Sequence, residues 1–250
     1  MSGFLIFISG LVIGSFLNLC IYRLPRRESI IHNPSHCPAC GRKLRIWDLA
    51  PLFSYLFLRG RCRYCGIEIG SRYPVVELLT GLLFLITFLS KDLNILLLKD
   101  LILYSLLIII IFIDLEHQII PNRLVGLFFA WSFLWQIFLP ELTWRDALGG
   151  TALGGGVLLA IALVSKGGMG GGDVKLMAAA GLYLGTSMTA LALFAGFLAG
   201  ALTGIILILL RLKTRKDYIP FGPFLALGII LASLWGEEII RSYLKISGLE

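Results

Sequence analysis

GGMGGGDVK, residues 167–175, sets one carboxylate, Asp173, on a backbone almost bare of side chains, with a strongly apolar segment on either side. A carboxylate where hydrocarbon meets water is costly unless it is solvated, paired or used, so the stretch marks both a boundary between membrane spans and a candidate functional site. The same combination occurs in IDLEHQIIPN (113–122), where Asp114 closes the apolar run ILYSLLIIIIFI (102–113).

Working outward, 58% of the 250 residues are hydrophobic and only 15% are charged. Soluble domains average ~45–50% apolar and ~25% charged. The fold class expected is therefore an all-α polytopic membrane protein. A crossing needs about 20 apolar residues, and about eight transmembrane helices follow, near 3–24, 74–90, 93–113, 122–140, 146–165, 174–187, 189–210 and 220–240. Segment 174–187 is short and rich in Ala and Gly, which fits a tilted helix, a re-entrant piece or a helix packed closely through small residues. Lys99 and Asp100 within the third run suggest that its helix begins later than Leu93. The first run lacks a basic n-region and a small-residue cleavage signature, so it is expected to stay as an anchor.

The net charge is +7, and the basic residues fall in alternate loops. Loop 23–73 carries ten of the 22, Arg123 flanks loop 114–121, Lys166 and Lys175 sit in loop 166–175, and Arg211, Lys213, Arg215 and Lys216 sit in loop 211–219, while the intervening segments hold little more than Lys91, Arg145, Arg241 and Lys245. The positive-inside rule puts these loops in the cytosol and both termini outside, so Asp114 and Asp173 share the cytosolic face. The chain lacks a basic helix or a stacking-aromatic module, which argues against nucleic acid as a partner.

The polar stretch 25–73 is expected to form a small cytosolic insertion between a first span (1–24) and a transmembrane domain (74–250). It holds two C-x-x-C pairs, Cys37/Cys40 and Cys62/Cys65, at a separation close to that of zinc-ribbon knuckles. Gly41 and Gly66 follow each pair and let the backbone turn past a metal. Four thiolates fill the tetrahedral shell of zinc and leave no position for water, so the Zn²⁺ expected here is structural. His36 then reads as a solvated loop residue, and the fifth cysteine, Cys20, lies inside the first span.

Asp114 and Asp173 together suit peptide hydrolysis without a metal or a covalent nucleophile. One carboxylate takes a proton from water while a protonated partner polarises the carbonyl, an arrangement that two close acids reach because like charges cannot both ionise readily. The glycines before Asp173 offer a low floor for an extended substrate, Gly172 among them. The plain structural alternative makes Asp173 the N-cap of a helix starting near Val174, with Lys175 beside it as an ion-pair partner. Pro121 reads as the first residue of the helix after Asp114. His117 is an alternative base, but no serine or cysteine in a supporting motif accompanies it.

Seven blocks occur in order: GSFLNLCIYRLP (14–25), CPAC (37–40), PLFSYLFLRGRCRYC (51–65), RYPVVELLTG (72–81), IDLEHQIIPN (113–122), GMGGGDVKLMAAAGLYLG (168–185) and IPFGPFLALG (219–228). In these the chain resembles the type IV prepilin peptidases, bifunctional leader peptidases and N-methyltransferases of the GxGD aspartic protease group. The resemblance implies that Asp114 and Asp173 are the catalytic pair and cut a short basic leader from a prepilin or pseudopilin after a Gly, at the cytosolic face of the bacterial inner membrane. It further implies methylation of the new N-terminal residue, usually Phe, from S-adenosylmethionine, with the Cys-containing loop needed for that step. Gly60 matches a family glycine associated with methylation. Glu116 stands where the family often has a further Asp. Glu77 is a candidate reader of the substrate amine or a plain helix-start acid near the positive dipole end, and PFGP (220–223) shapes the substrate entrance or simply starts a helix.

Two other readings stand beside this one. The first is a leader peptidase without methyl transfer, since no G-x-G-x-x-G nucleotide signature follows a strand. The second is a transport or scaffold protein whose zinc loop binds a partner, although both acids lie at one face and not at mid-membrane, where coupling sites usually sit.

Overall fold

The computed structural model describes residues 1–31, 35–91, 94–165, 168–214 and 217–248, and among these it is helical with no strand. Lys166, Gly167, Arg215 and Lys216, which enter the charge and glycine readings above, lie outside the described residues, as does Leu93. The chain divides into two compact units, Met1–Ile109 and Ile110–Glu250. The first contains α1 (Ser2–Arg26), a 3-10 turn (Ile46–Leu49), α2 (Phe53–Phe57), α3 (Arg72–Lys91) and most of α4 (Ile95–His117). The second contains the end of α4, then α5 (Asn122–Phe138), α6 (Trp144–Val164), α7 (Gly171–Leu209) and α8 (Gly222–Ile246).

The apolar runs become helices because hydrocarbon offers the backbone no other hydrogen-bond partner. Local signals end them. Pro25 occupies the last turn of α1, and Arg27 follows in the left-handed conformation (φ 57°) with its N–H on the Arg23 and Leu24 carbonyls. Gln118 (φ 55°) ends α4 in the same way. Thr143 caps α6 by accepting the Asp146 N–H at 3.2 Å, and Pro223 sits in the first turn of α8. Pro121 is the N-cap of α5, one residue earlier than expected.

Lipid tails supply no hydrophobic drive between helices, so small residues that admit close backbones decide the packing. In the first unit, α1 and α3 meet through Gly10 and Gly14: a Cβ on either would lie 2.7 Å from the Cα of Gly81 or Glu77 respectively. A methyl group there would cost about 1–3 kcal/mol in overpacking. In the second unit, Gly150 and Gly154 of α6 lie against the α7 backbone at Gly181 and Met177, and Gly228 of α8 lies against Ala192 of α7. The helix carrying Asp173 is thereby gripped along both halves.

Six helices, α1, α3, α4, α6, α7 and α8, are long and apolar enough to cross a membrane. Counted this way among the described residues, the expected eight spans are not confirmed. α5 has 17 residues, and α7 consists of two helical segments that meet at a kink, in keeping with the two spans read near 174–187 and 189–210. The break between them is confined to Gly185 (φ 74°, ψ 180°). There Asp146 accepts the Thr186 N–H at 3.0 Å, so the interrupted ladder keeps a partner. The third helix does begin after Leu93, at Ile95. Its buried Asp100 is held by Lys91 Nζ at 2.7 Å, which accounts for a charge in that run.

Candidate active site and metal centre

Asp114 lies in the last turn of α4 and is 3% exposed; Asp173 is the third residue of α7 and is 4% exposed. Two helix N-termini serve them, and the free N–H groups and dipoles of such termini favour carboxylates. The Gly222 N–H at the start of α8 donates to Asp114 Oδ2 at 3.0 Å. The Gly170 N–H at the start of α7 donates to the Asp173 carboxylate. Asp173 Oδ1 is buried and has no hydrogen-bond partner. The two acids are near enough for the charge of Asp114 to act on Asp173. A buried carboxylate oxygen without a partner costs ~1–3 kcal/mol or more, and such strain is expected where a proton or a substrate group is to be handled.

The glycines around the pair make room for the protein itself. A Cβ on Gly172 would lie 2.8 Å from the Cβ of Ile120, and one on Gly222 would lie 2.6 Å from Asp114 Oδ2 and 3.0 Å from Ile120 Cδ1. Ile120 therefore fills the space expected to form a bare floor at Gly172, and the open position is Gly171, which has nothing within 4 Å of its would-be Cβ. The capping alternative is also displaced. Gly170 is the N-cap of α7, and Asp173 lies three residues inside the helix. Lys175 bonds to Asn122 Oδ1 at 3.0 Å, and His117 Nε2 lies 4.0 Å from Glu116 Oε2.

Tyr218, between α7 and α8, was not singled out from sequence. Burial first, then the negative charges of Asp173 and Asp114, hold its phenol above the ordinary range, which places it within electrostatic reach of both acids. The available signal was an aromatic residue two positions before the PFGP block.

The first unit holds a different kind of site. The sulfurs of Cys37, Cys40, Cys62 and Cys65 all lie within 4.8 Å of one another, with Cys37 Sγ 3.9 Å from Cys65 Sγ. A tetrahedral zinc with Zn–S near 2.3 Å requires sulfurs ~3.8 Å apart, so the donor set fits that ion in size and chemistry. The two halves repeat one design. Cys37 N–H bonds to Arg42 O and Gly41 N–H to Cys37 O; Cys62 N–H bonds to Ile67 O and Gly66 N–H to Cys62 O. Gly41 and Gly66 have positive φ (69° and 72°), as the turns require. Backbone N–H groups of Cys65 and then Tyr64 lower the Cys62 thiol to about 7, whereas Cys65, despite the Ile67 N–H, is raised to about 11 by burial and the neighbouring sulfurs, so the fit to a metal rests on the sulfur geometry. His36 is exposed and stands outside the sulfur cluster.

Asp48 ties this loop together. It accepts from Arg63 Nε at 2.6 Å, Tyr64 Oη at 2.9 Å and Arg45 N at 3.0 Å. Burial works against its charge, but these donors prevail and the carboxyl sits below its ordinary range. The Arg45 contact is local to the 3-10 turn, but Arg63 and Tyr64 reach Asp48 only once the loop folds back, so sequence did not mark its full role.

An all-α polytopic membrane protein, with a buried carboxylate pair at helix ends and a four-sulfur cluster in its first polar loop, is the class these features define. Residues 8–91 match the family model described as bacterial peptidase A24 N-terminal domain, and residues 101–205 match that of the type IV leader peptidase family. The chain is 38% identical over 243 residues to a prepilin leader peptidase/N-methyltransferase of Bacillus subtilis (strain 168), covering 97% of this chain and 98% of the relative. It is 36% identical over 271 residues to one from Aeromonas salmonicida (strain A449), covering 96% and 93%, and 35% identical over 274 residues to one from Pseudomonas aeruginosa, covering 96% and 92%. No solved structure matches it. The chain belongs to the type IV leader peptidase family.

Proposed function

We propose that the protein is a membrane-embedded aspartic endopeptidase that removes the leader of type IV prepilins or pseudopilins and N-methylates the new N-terminal residue, with Asp114 and Asp173 as the catalytic pair. The observation that carries the first activity is the burial of two carboxylates at neighbouring helix ends, one with an oxygen left unpartnered. As one ionised carboxylate takes a proton from water, the water oxygen bonds to the scissile carbonyl carbon, and the other carboxyl gives its proton to the carbonyl oxygen. Collapse of the resulting diol breaks the C–N bond. The first acid then protonates the leaving nitrogen, the second recovers a proton from the diol, and the pair returns to its one-proton state. The Gly222 N–H keeps Asp114 oriented through this cycle.

Cys37, Cys40, Cys62 and Cys65 would hold a structural Zn²⁺, whose role is to fold loop 25–73. S-adenosylmethionine, when bound, supplies the methyl group for the second activity. Charge bias among the loops supports a bacterial cytoplasmic-membrane location with both aspartates facing the cytosol.

Incubating the purified enzyme with a prepilin and S-adenosylmethionine, and reading the product by mass, separates the possibilities. Cleavage with a further one-methyl shift supports both activities, cleavage alone leaves a peptidase, and neither points to a transporter or scaffold. Cleavage that survives in both Asp114→Asn and Asp173→Asn overturns the aspartyl mechanism.

A further inference from the structure

The first unit contains a cavity of about 240 Å³, open on one side, between α1, the start of α3 and the cysteine loop. Glu77 lies on its wall, 7% exposed, six residues into α3. Its Oε2 accepts the Leu52 N–H at 2.8 Å, and the Ser15 hydroxyl also bonds to the carboxyl. Asn18 lines the same cavity at 2% exposure; its Nδ2 donates to the Gly14 and Tyr73 carbonyls, while Oδ1 has no partner. Tyr22, Tyr55 and Tyr73 supply aromatic surface, and Cys37 and Cys62 of the sulfur cluster form part of the wall.

We propose that this cavity is the site for S-adenosylmethionine, a reading that rests on the methyltransferase activity proposed above. A sulfonium ligand calls for a fixed carboxylate and aromatic surface, and an adenine or α-ammonium group calls for an acceptor such as Asn18 Oδ1. Both kinds of partner are present, in a wall that also holds the buried Arg23, and a nearly buried Glu77 and a partnerless amide oxygen are costly features to keep between two membrane helices. The enclosed volume is just short of the ~300 Å³ at which ligand clefts usually begin. Part of the donor therefore projects from the open side, as a methyl group must if it is to meet a second substrate.

Gly60 takes its place as a positioning residue. Its φ is +69°, its N–H donates to Tyr55 O at 2.8 Å, and a Cβ there would lie 3.0 Å from Tyr55 Oη. Any side chain at this position pushes Tyr55, and with it one wall of the cavity. The zinc loop has the same kind of role: it encloses the cavity, so metal is needed for donor binding without touching the methyl group.

The test uses the full-length, zinc-loaded enzyme in detergent. Calorimetry with S-adenosylhomocysteine should show binding that weakens roughly tenfold to a hundredfold in Glu77→Gln, as expected on losing one charged interaction. Binding should also fall in the space-filling Leu19→Trp and in Gly60→Ala, with zinc content unchanged in all three. Ultraviolet crosslinking of methyl-labelled S-adenosylmethionine to wild type should label peptides within 15–23 or 52–77, a result that does not depend on any variant folding. Label confined to residues beyond 110, or unchanged binding in Glu77→Gln and Leu19→Trp, overturns the cavity assignment and leaves the methyltransferase reading standing. A wild-type enzyme that neither binds S-adenosylhomocysteine nor methylates a prepilin overturns both.

Discussion

The aspartate pair and the cysteine loop are assembled by opposite means. Asp114 and Asp173 are held by helices whose close contacts, Gly150 on Gly181 and Gly228 on Ala192, exist as soon as the second unit packs. The cysteine loop has, among its described residues, two short helical turns, no strand and several exposed apolar side chains, including Ile46 and Trp47. On the metal site proposed above, its order depends on four sulfurs closing on one ion and on the Asp48 contacts. One site is built by packing and the other by ligation, so conditions that remove one activity should spare the other.

The largest effect expected is from Asp114→Asn or Asp173→Asn. Either should lower cleavage by roughly 10³-fold or more, since the acid–base pair is lost as a unit. Zinc content should stay at the wild-type level, and a prepilin supplied already cleaved should still be methylated. Loss of both activities together would mean that the two sites are not separately built.

Metal removal tests the converse. A strong chelator, or a fourfold Cys→Ser variant, should abolish donor binding and methylation while most prepilin cleavage survives, because loop order is coupled to the ion. A metal-free protein that still methylates would show that the loop folds without its ligand.

Gly172→Val is expected to act more moderately. The new Cβ meets Ile120 at 2.8 Å, and the displacement should cost about 1–3 kcal/mol and move the start of α7 that carries Asp173. Cleavage should fall with membrane insertion and zinc content intact. Gly171→Ala, at a position open to solvent, should be far milder in a fold-stability assay, and equal losses at both positions would argue for a substrate floor in place of Ile120 packing.

These contrasts follow what could and could not be read from the chain. The helices, the four cysteines and the two acids were legible because each has a local signature: long apolar runs, C-x-x-C spacing, and carboxylates at run ends. The geometry of the kink between 174–187 and 189–210 was not, because the partner that makes the break at Gly185 tolerable is Asp146, which accepts the Thr186 N–H from forty residues earlier in the chain. Ile120 filling Gly172 and the influence of both acids on Tyr218 were hidden for the same reason, since both arise from segments that meet only in the folded chain. Glu77 was noticed, but its bond to Leu52 and the cavity beside it depend on where the loop lies.

The smallest effect expected concerns pH. The Asp48 carboxyl sits below its ordinary range in the folded loop, so its contribution is fully present above the unfolded value of about 3.9 and is lost as pH falls through the folded value. Near neutrality it should add no pH dependence. In mild acid, zinc retention should decline through the cysteine thiols in wild type and in Asp48→Asn alike. Below about pH 4, only the wild type should show a further loss, as Arg63, Tyr64 and Arg45 release the protonated side chain. Retention measured by a colorimetric zinc indicator across this range, with prepilin cleavage followed in parallel, checks the point. If cleavage by Asp48→Asn changed along with zinc retention, the ligated site would be supporting the packed one, and the contrast between the two regions would fail.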